Sequence, residues 1–205
     1  MITINNLSKG YKDNNIFTDY NLSVREGEMV AIVGISGKGK TTLLNIIGSL
    51  EPFDSGSVIV NDKNIKNMKH KEQLQFLRND VSFLFQNYAL MEYHNVYDNI
   101  TMGQKFDKNK KTQIEEVLDK VNLSGFENRM VSTLSGGEQQ RVALARVMLK
   151  PSKLILADEP TGNLDEINSN KVWETLLELK SMNKTVVVVT HEVHALHYFD
   201  RVIEL

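Results

Sequence analysis

The chain contains no cysteine, and that absence removes disulfides, Cys-ligated zinc, iron–sulfur clusters and thiol nucleophiles together. It also lacks a basic excess: 24 lysines and arginines stand against 26 aspartates and glutamates, for a net charge of -2. Proteins that follow a nucleic-acid backbone ordinarily carry surplus cations, so nucleic acid is not an expected partner. No apolar run is long enough to span a bilayer; residues 186–189, the most apolar stretch near the end, are only four valines. Residues 1–6 show neither a basic n-region nor an apolar h-region, so no signal peptide is expected and the chain reads as cytoplasmic. Of 205 residues, 41% are hydrophobic and 24% charged, which suits one globular domain with a substantial core and argues against disorder.

Three prolines, Pro52, Pro151 and Pro160, each sit beside a change of pattern. Alternation of apolar and polar residues in 1–7 and 21–24 predicts short half-exposed strands. The apolar run 28–33, ending at Gly34, predicts a strand buried on both faces, as in a parallel sheet. Residues 42–47 follow as a helix with Leu43, Leu44, Ile46 and Ile47 on its apolar stripe, and 56–62 read as a strand entering a turn. Between 95 and 148 the spacing becomes helical, through Ile114, Val117, Leu118 and Val121 and then Val142, Ala145 and Met148. Buried-strand runs return at 153–157 and 184–190, around a helix bearing Val172, Trp173, Leu176 and Leu179. Strand–helix–strand alternation at both ends makes this α/β with a parallel sheet, and the helical middle an insertion into it. The lysine-rich stretches 63–71 and 105–111 read as solvated faces, with anionic headgroups as the alternative. The scattered methionines read as core filler.

Gly34-Ile35-Ser36-Gly37-Lys38-Gly39-Lys40-Thr41 fits G-x-x-x-x-G-K-[ST], between a buried strand and a helix. Glycines let backbone N–H groups curl around phosphate oxygens, and the helix N-terminus adds its positive end. Lys40 would reach the β- and γ-phosphates, and the Thr41 hydroxyl would ligate Mg²⁺. Further on, Asp158 and Glu159 stand at the carboxyl end of a buried strand, where open α/β sheets bind ligands. Asp158 would hold the Mg²⁺ shell and Glu159 would polarise a water, a division of labour that suits phosphoanhydride hydrolysis. Leu134-Ser135-Gly136-Gly137-Glu138-Gln139-Gln140-Arg141 opens another helix, with Ser135 and Glu138 forming a capping box. Adjacent glycines weaken a helix start by up to about 1 kcal/mol each relative to alanine, so the bare backbone there suggests a second phosphate contact, made from another subunit.

In order and spacing these segments resemble the Walker A, signature and Walker B motifs of ABC transporter ATPase subunits, and the resemblance covers essentially the whole chain. It implies a P-loop NTPase fold with a mainly parallel core sheet, an N-terminal antiparallel β part and an inserted helical subdomain. The ATP-binding core would be 1–86 plus 150–205, and the helical subdomain 87–149. The implied ligands are ATP and Mg²⁺, with Gly34, Ser36, Gly37, Gly39, Lys40, Thr41 and Thr42 around the nucleotide and Tyr11 stacked on adenine. Gln86 resembles the Q-loop glutamine and joins Thr41 and Asp158 around the metal. Asn163-Leu164-Asp165 resembles the D-loop, bringing Asp165 to the nucleotide, and His191 resembles the switch histidine at the γ-phosphate. Glu159, His191 and Gln86 form the implied catalytic set, and Ser135, Gly136 and Gly137 would act on ATP held by a partner subunit.

The implied partners are a transmembrane permease on another chain, touched by residues 87–95, and a second ATPase subunit in a homodimer or pseudo-dimer. Localisation would be peripheral, on the inner face of the cell membrane. The runs 161–165 and 85–88 are similar to the macrolide, lipoprotein and bacteriocin exporter branch, which implies export of a peptide, bacteriocin or hydrophobic compound. A cell-division type of ABC ATPase, transmitting force through a membrane partner, is the alternative. DNA-repair and translation relatives would need a coiled-coil insertion or two tandem cassettes. Lys38 departs from the serine usual in that branch, and the chain stops at Leu205, short of the family's usual few further residues, with no regulatory domain expected. His191, His194 and His197 lie three apart but do not form H-E-x-x-H, and they read as a short polar helix face.

Overall fold

A computed structural model describes residues 1–12, 14–104, 110–162 and 164–205. Lys105 and Lys108 of the second lysine-rich stretch, and Asn163, lie outside the described residues. Five strands form a parallel sheet: β3 (Met29–Val33), β6 (Val81–Leu84), β7 (Leu154–Asp158), β8 (Thr185–Val189) and β9 (Arg201–Glu204), in the order β6-β7-β8-β3-β9. Their registers run Ala31↔Val188, Leu156↔Val187 and Phe83↔Leu156. A second, antiparallel sheet has the order β2-β1-β4-β5, from β1 (Ile2–Tyr11), β2 (Asn14–Val24), β4 (Ser55–Val60) and β5 (Lys63–Asn64).

The alternation of side chains along each parallel strand divides the core in two. Ile155 and Ala157 of β7, with Val186 and Val188 of β8, face one apolar cluster. Against them pack α3 (Val96–Thr101), α4 (Lys110–Lys120), α5 (Gly136–Leu149) and α6 (Glu166–Ser181), including Ile100, Leu118, Leu144 and Trp173. Leu154, Leu156, Val187 and Val189 face the other cluster, with Leu43, Leu44, Ile46 and Ile47 of α1 (Lys40–Ile47) and the inner side of the antiparallel sheet. Burial on both faces explains why β3, β7 and β8 are nearly continuous apolar runs rather than alternating ones.

Three elements go beyond the sequence reading. Helix α2 (His70–Asn79) buries only Phe76, and its few apolar residues, Leu74, Phe76 and Leu77, are too sparse to mark it. Strands β6 and β9 have four residues each, too few for a period. β1 and β2 run longer than the alternation in 1–7 and 21–24, because register shifts follow Ile4, Leu7 and Lys9 and a left-handed Asn6 (φ 49°) breaks the pattern. The lysines at 63–71 are tied down as well as solvated: Lys63 pairs with Asp80 at 2.5 Å, and Lys66 donates to the Asp54 carbonyl at 2.8 Å. The methionines divide: Met1, Met68 and Met148 pack against the two cores as expected, and others do not. Met29 is buried, but Met102, Met130 and Met182 are exposed, Met102 and Met182 at the C-caps of α3 and α6, where helices meet solvent. No helix among the described residues is long and apolar enough to cross a membrane.

Candidate active site

The loop 34–39 leaves the carboxyl end of β3 and opens α1. Gly39 is the N-cap with φ 90°, and a Cβ there would lie 2.2 Å from Cγ2 of Ile16, so both conformation and contact require glycine. Gly37 is also left-handed, at φ 81°. No side chain caps α1, and no acidic residue stands in its first turn. Among the described residues, the amides of 39–42 meet no acceptor, which leaves four donors at the positive end of a helix. Lys40 turns back across the loop and donates to the carbonyls of Gly34 (2.8 Å) and Ile35 (3.1 Å). Ser36 and Lys38 are exposed.

Asp158 ends β7 beside β8, opposite Val189. Burial raises its carboxyl above the ordinary range; the nearby Thr41 hydroxyl opposes the shift, the neighbouring Glu159 adds to it, and Lys40 opposes it. Among the described residues no group of three or more acidic or histidine side chains could hold a metal alone. One carboxylate and one hydroxyl are instead what Mg²⁺ uses when phosphates and water complete its shell. The residues therefore fit that ion in the company of a phosphate ligand.

Glu159 sits in a left-handed turn (φ 44°), a conformation costing about 1–3 kcal/mol for a non-glycine residue. Its amide donates to the Val189 carbonyl (2.9 Å), its carbonyl accepts from Gly162 (3.1 Å), and the Pro160 carbonyl accepts from the buried Gln140 amide of α5 (2.8 Å). The Glu159 carboxylate lies 3.2 Å from Nδ1 of His191, just past β8. Exposed Gln86, past β6, brings its amide to Gly162: a Cβ there would lie 3.3 Å from Gln86 Nε2 and 3.6 Å from the Glu159 carboxylate. The loop, Asp158, Glu159, Gln86 and His191 thus gather at the carboxyl ends of four neighbouring strands.

Two predicted groups stand elsewhere in the chain. Tyr11, at the end of β1, donates to Glu51, and Lys9 lies over its ring at 4.5 Å from the centroid. Ser135 caps α5: its amide and hydroxyl both donate to Glu138 (2.7 and 2.8 Å), and these bonds hold the Glu138 carboxyl below its usual range. Gly136 comes near Tyr88, and Gly137 near Asn168 and Arg141. Asp165 caps α6 and accepts from the Asn168 amide (2.9 Å) and side chain (2.7 Å), while Arg141 reaches Asn168 at 3.5 Å. The start of α5 and the cap of α6 therefore form one cluster. Residues 193–198 form a 3₁₀ helix, so His194 and His197 lie on a short turn as expected. Gln140 escaped the sequence reading, as did Thr161 and Glu192; the last two immediately follow Pro160 and His191, and that adjacency was the available signal.

A family model described as ABC transporter matches residues 17–162. The chain belongs to the ABC transporter family. Within it, the chain is 38% identical over 201 residues to the lipoprotein-releasing system ATP-binding protein LolD of Pseudoalteromonas translucida, covering 94% of this chain and 87% of that one. It is 35% identical over 210 residues to the macrolide export ATP-binding/permease protein MacB of Campylobacter jejuni, covering all of this chain and 33% of that longer one. Among solved structures, the dimeric ATP-binding cassette MJ0796 in a post-hydrolysis state with ADP and Pi superposes with a TM-score of 0.91. That match is 32% identical and covers 100% of this chain and 94% of the cassette.

Proposed function

We propose that the chain binds and hydrolyses ATP with Mg²⁺ and thereby drives a membrane permease carried on another chain, as an exporter of a peptide, bacteriocin or hydrophobic compound. The observation that supports this most is the meeting of the loop 34–41, Asp158, Glu159, Gln86 and His191 at the carboxyl ends of neighbouring parallel strands. It brings the phosphate loop to the acidic strand end, so one ligand would meet the free amides of 39–42, Lys40 and Asp158 together. Bound Mg²⁺ would offset charge across the β- and γ-phosphates, held by Thr41, Asp158 and Gln86. Lys40 would leave the Gly34 and Ile35 carbonyls for the phosphates, with Gly34, Ser36, Gly37, Gly39 and Thr42 completing the cradle. Glu159 would take the proton of the attacking water, and His191, beside it, would contact the γ-phosphate. Tyr11 would stack on adenine.

In this reading two subunits close head to tail, Ser135, Gly136, Gly137 and Asp165 of each completing the site of the other. Ile35, Ile167 and Val193, exposed at 70%, 71% and 79%, lie in the segments that carry site residues and favour a face covered on closure. With a core of 1–86 plus 150–205 and a helical part of 87–149, the permease would be touched by 87–95, a segment that includes the strongly exposed Tyr93. The subunit would then sit on the inner face of the membrane through its permease. The exporter assignment follows LolD and MacB, by their names a lipoprotein-releasing and a macrolide-export protein.

Glu159→Gln keeps the shape and drops the charge. It is expected to bind ATP normally, to lose about 10²–10⁴ in turnover and to accumulate as an ATP-held dimer. Wild-type turnover in that variant would place the base elsewhere. A photo-crosslinker at Met91, in cells, reports on the permease: capture of a membrane chain with a substrate path supports export, and capture of one that only regulates an extracellular hydrolase supports the cell-division alternative.

A further inference from the structure

We infer that Thr161 and Glu192 form a positioning bridge that sets His191 opposite Glu159. This rests on the hydrolysis reading above and adds two inward-facing residues to it. The Thr161 hydroxyl donates to Oε1 of Glu192 at 2.7 Å. Both side chains point inward: Thr161 is 2% exposed, and the Glu192 side chain 14%.

Glu159 and His191 need such help for different reasons. His191 carries an exposed side chain, so packing does not fix it, and its position depends on its backbone neighbours. On one side Thr190 is buried, and its amide donates to the Ile32 carbonyl of β3 at 3.2 Å. On the other side Glu192 donates its amide to the Thr190 hydroxyl (3.0 Å) and accepts from Thr161. His191 is thus the exposed middle of a turn pinned at both ends. Glu159 is left-handed and opens a turn that the Gly162 amide closes onto its carbonyl, with Thr161 the residue before that closure. The Glu159 amide's bond to Val189 ties the two turns at the base. The Glu159–His191 contact joins them at the mouth. The Thr161–Glu192 bond is the tie on the inner side, and it fixes the separation across which the other contact is made. A shift of about 1 Å in such a pair can cost roughly 10²-fold in rate, because the reacting groups must meet within a narrow range.

The test compares kcat with ATP affinity in the full chain. Thr161→Val preserves shape and removes the donor; Thr161→Ser preserves the donor. Thr161→Val is expected to lower kcat by roughly 10- to 100-fold while ATP affinity stays within about twofold. Thr161→Ser is expected to restore most of the rate. The double variant Thr161→Val with Glu192→Ala should be no slower than Glu192→Ala alone, within about twofold, since Glu192→Ala already removes the Thr161 bond along with the Glu192–His194 contact at 3.2 Å. If Thr161→Val does not fold, Thr161→Ala carries the same comparison. The inference is overturned by a wild-type kcat in the valine variant, by parallel loss of affinity and rate, by a serine variant as slow as the valine one, or by multiplying losses in the double variant. A wild-type chain that hydrolyses no ATP would instead overturn the reading on which the bridge rests.

Discussion

Asp158 ends a buried strand next to Glu159, and burial raises the pKa of its carboxyl. A carboxyl whose pKa rises on folding holds its proton more tightly in the native state, so its contribution favours folding below the unfolded-state pKa and is lost as pH rises through the native value. Near neutral pH the ionised Asp158 therefore costs stability. Asp158→Asn keeps an acceptor beside Thr41 and removes the charge. It is expected to raise the melting temperature of the nucleotide-free chain at pH 7 while stopping Mg²⁺-dependent hydrolysis, a trade of stability against function. Thermal unfolding by circular dichroism checks the first half, and a lower melting temperature would contradict it. Tyr11 gives a second test at this scale. Lys9 covers one side of its ring, so an adenine would stack on the other. Tyr11→Ala is expected to weaken ATP binding by roughly 1–3 kcal/mol, and Tyr11→Phe to leave stacking intact. Equal affinities for wild type and Tyr11→Ala in calorimetry would remove the tyrosine from the site.

Among the elements, those buried on two faces were the most legible. β3, β7 and β8 follow from runs of Val, Ile and Leu, and α1 and α5 from a glycine-rich entry and a capping box, both readable within eight residues. Four-residue β6 and β9 and the one-sided α2 carry too little apolar pattern to be seen before the neighbours that bury them are known. The candidate site divides the same way: residues 34–41, Asp158 and Glu159 are legible because one segment holds each motif, whereas Gln140–Pro160 and Thr161–Glu192 join segments 20 and 31 residues apart. The end of α5 shows another tertiary effect. Lys150 donates to the Leu77 and Val81 carbonyls at 2.6 Å each, and burial, with Arg146 and Lys184 nearby, lowers its pKa to about 8. A lysine depressed in this way contributes stability above its unfolded pKa that is lost as pH falls through the native value. Stability is therefore expected to rise between about pH 8 and the ordinary lysine range near 10.4. Lys150→Met should shrink that rise in denaturant titrations across the window; an unchanged slope would show that Lys150 does not carry it.

At the scale of the whole molecule, the parallel sheet gathers the phosphate loop, Asp158, Glu159, Gln86 and His191 at one edge, while the capped starts of α5 and α6 form a separate cluster through Asn168 and Arg141. On the proposed reading, neither cluster completes a site within one chain. If two chains complete it together, mixing two inactive variants should restore function. Lys40→Ala removes the phosphate cation, and Ser135→Arg blocks the start of α5 with bulk. Each homodimer has two spoiled sites. In a mixed dimer, a shared site puts both defects at one interface and leaves the other intact, whereas chains that complete their own sites leave a defect in each. The measurement is ATP hydrolysis, with nucleotide trapped per dimer, in mixtures where mixed dimers are shown to form. Recovered hydrolysis is expected, or ATP trapped at one site per dimer if the two sites are strictly coupled. Mixed dimers with neither would contradict a shared site.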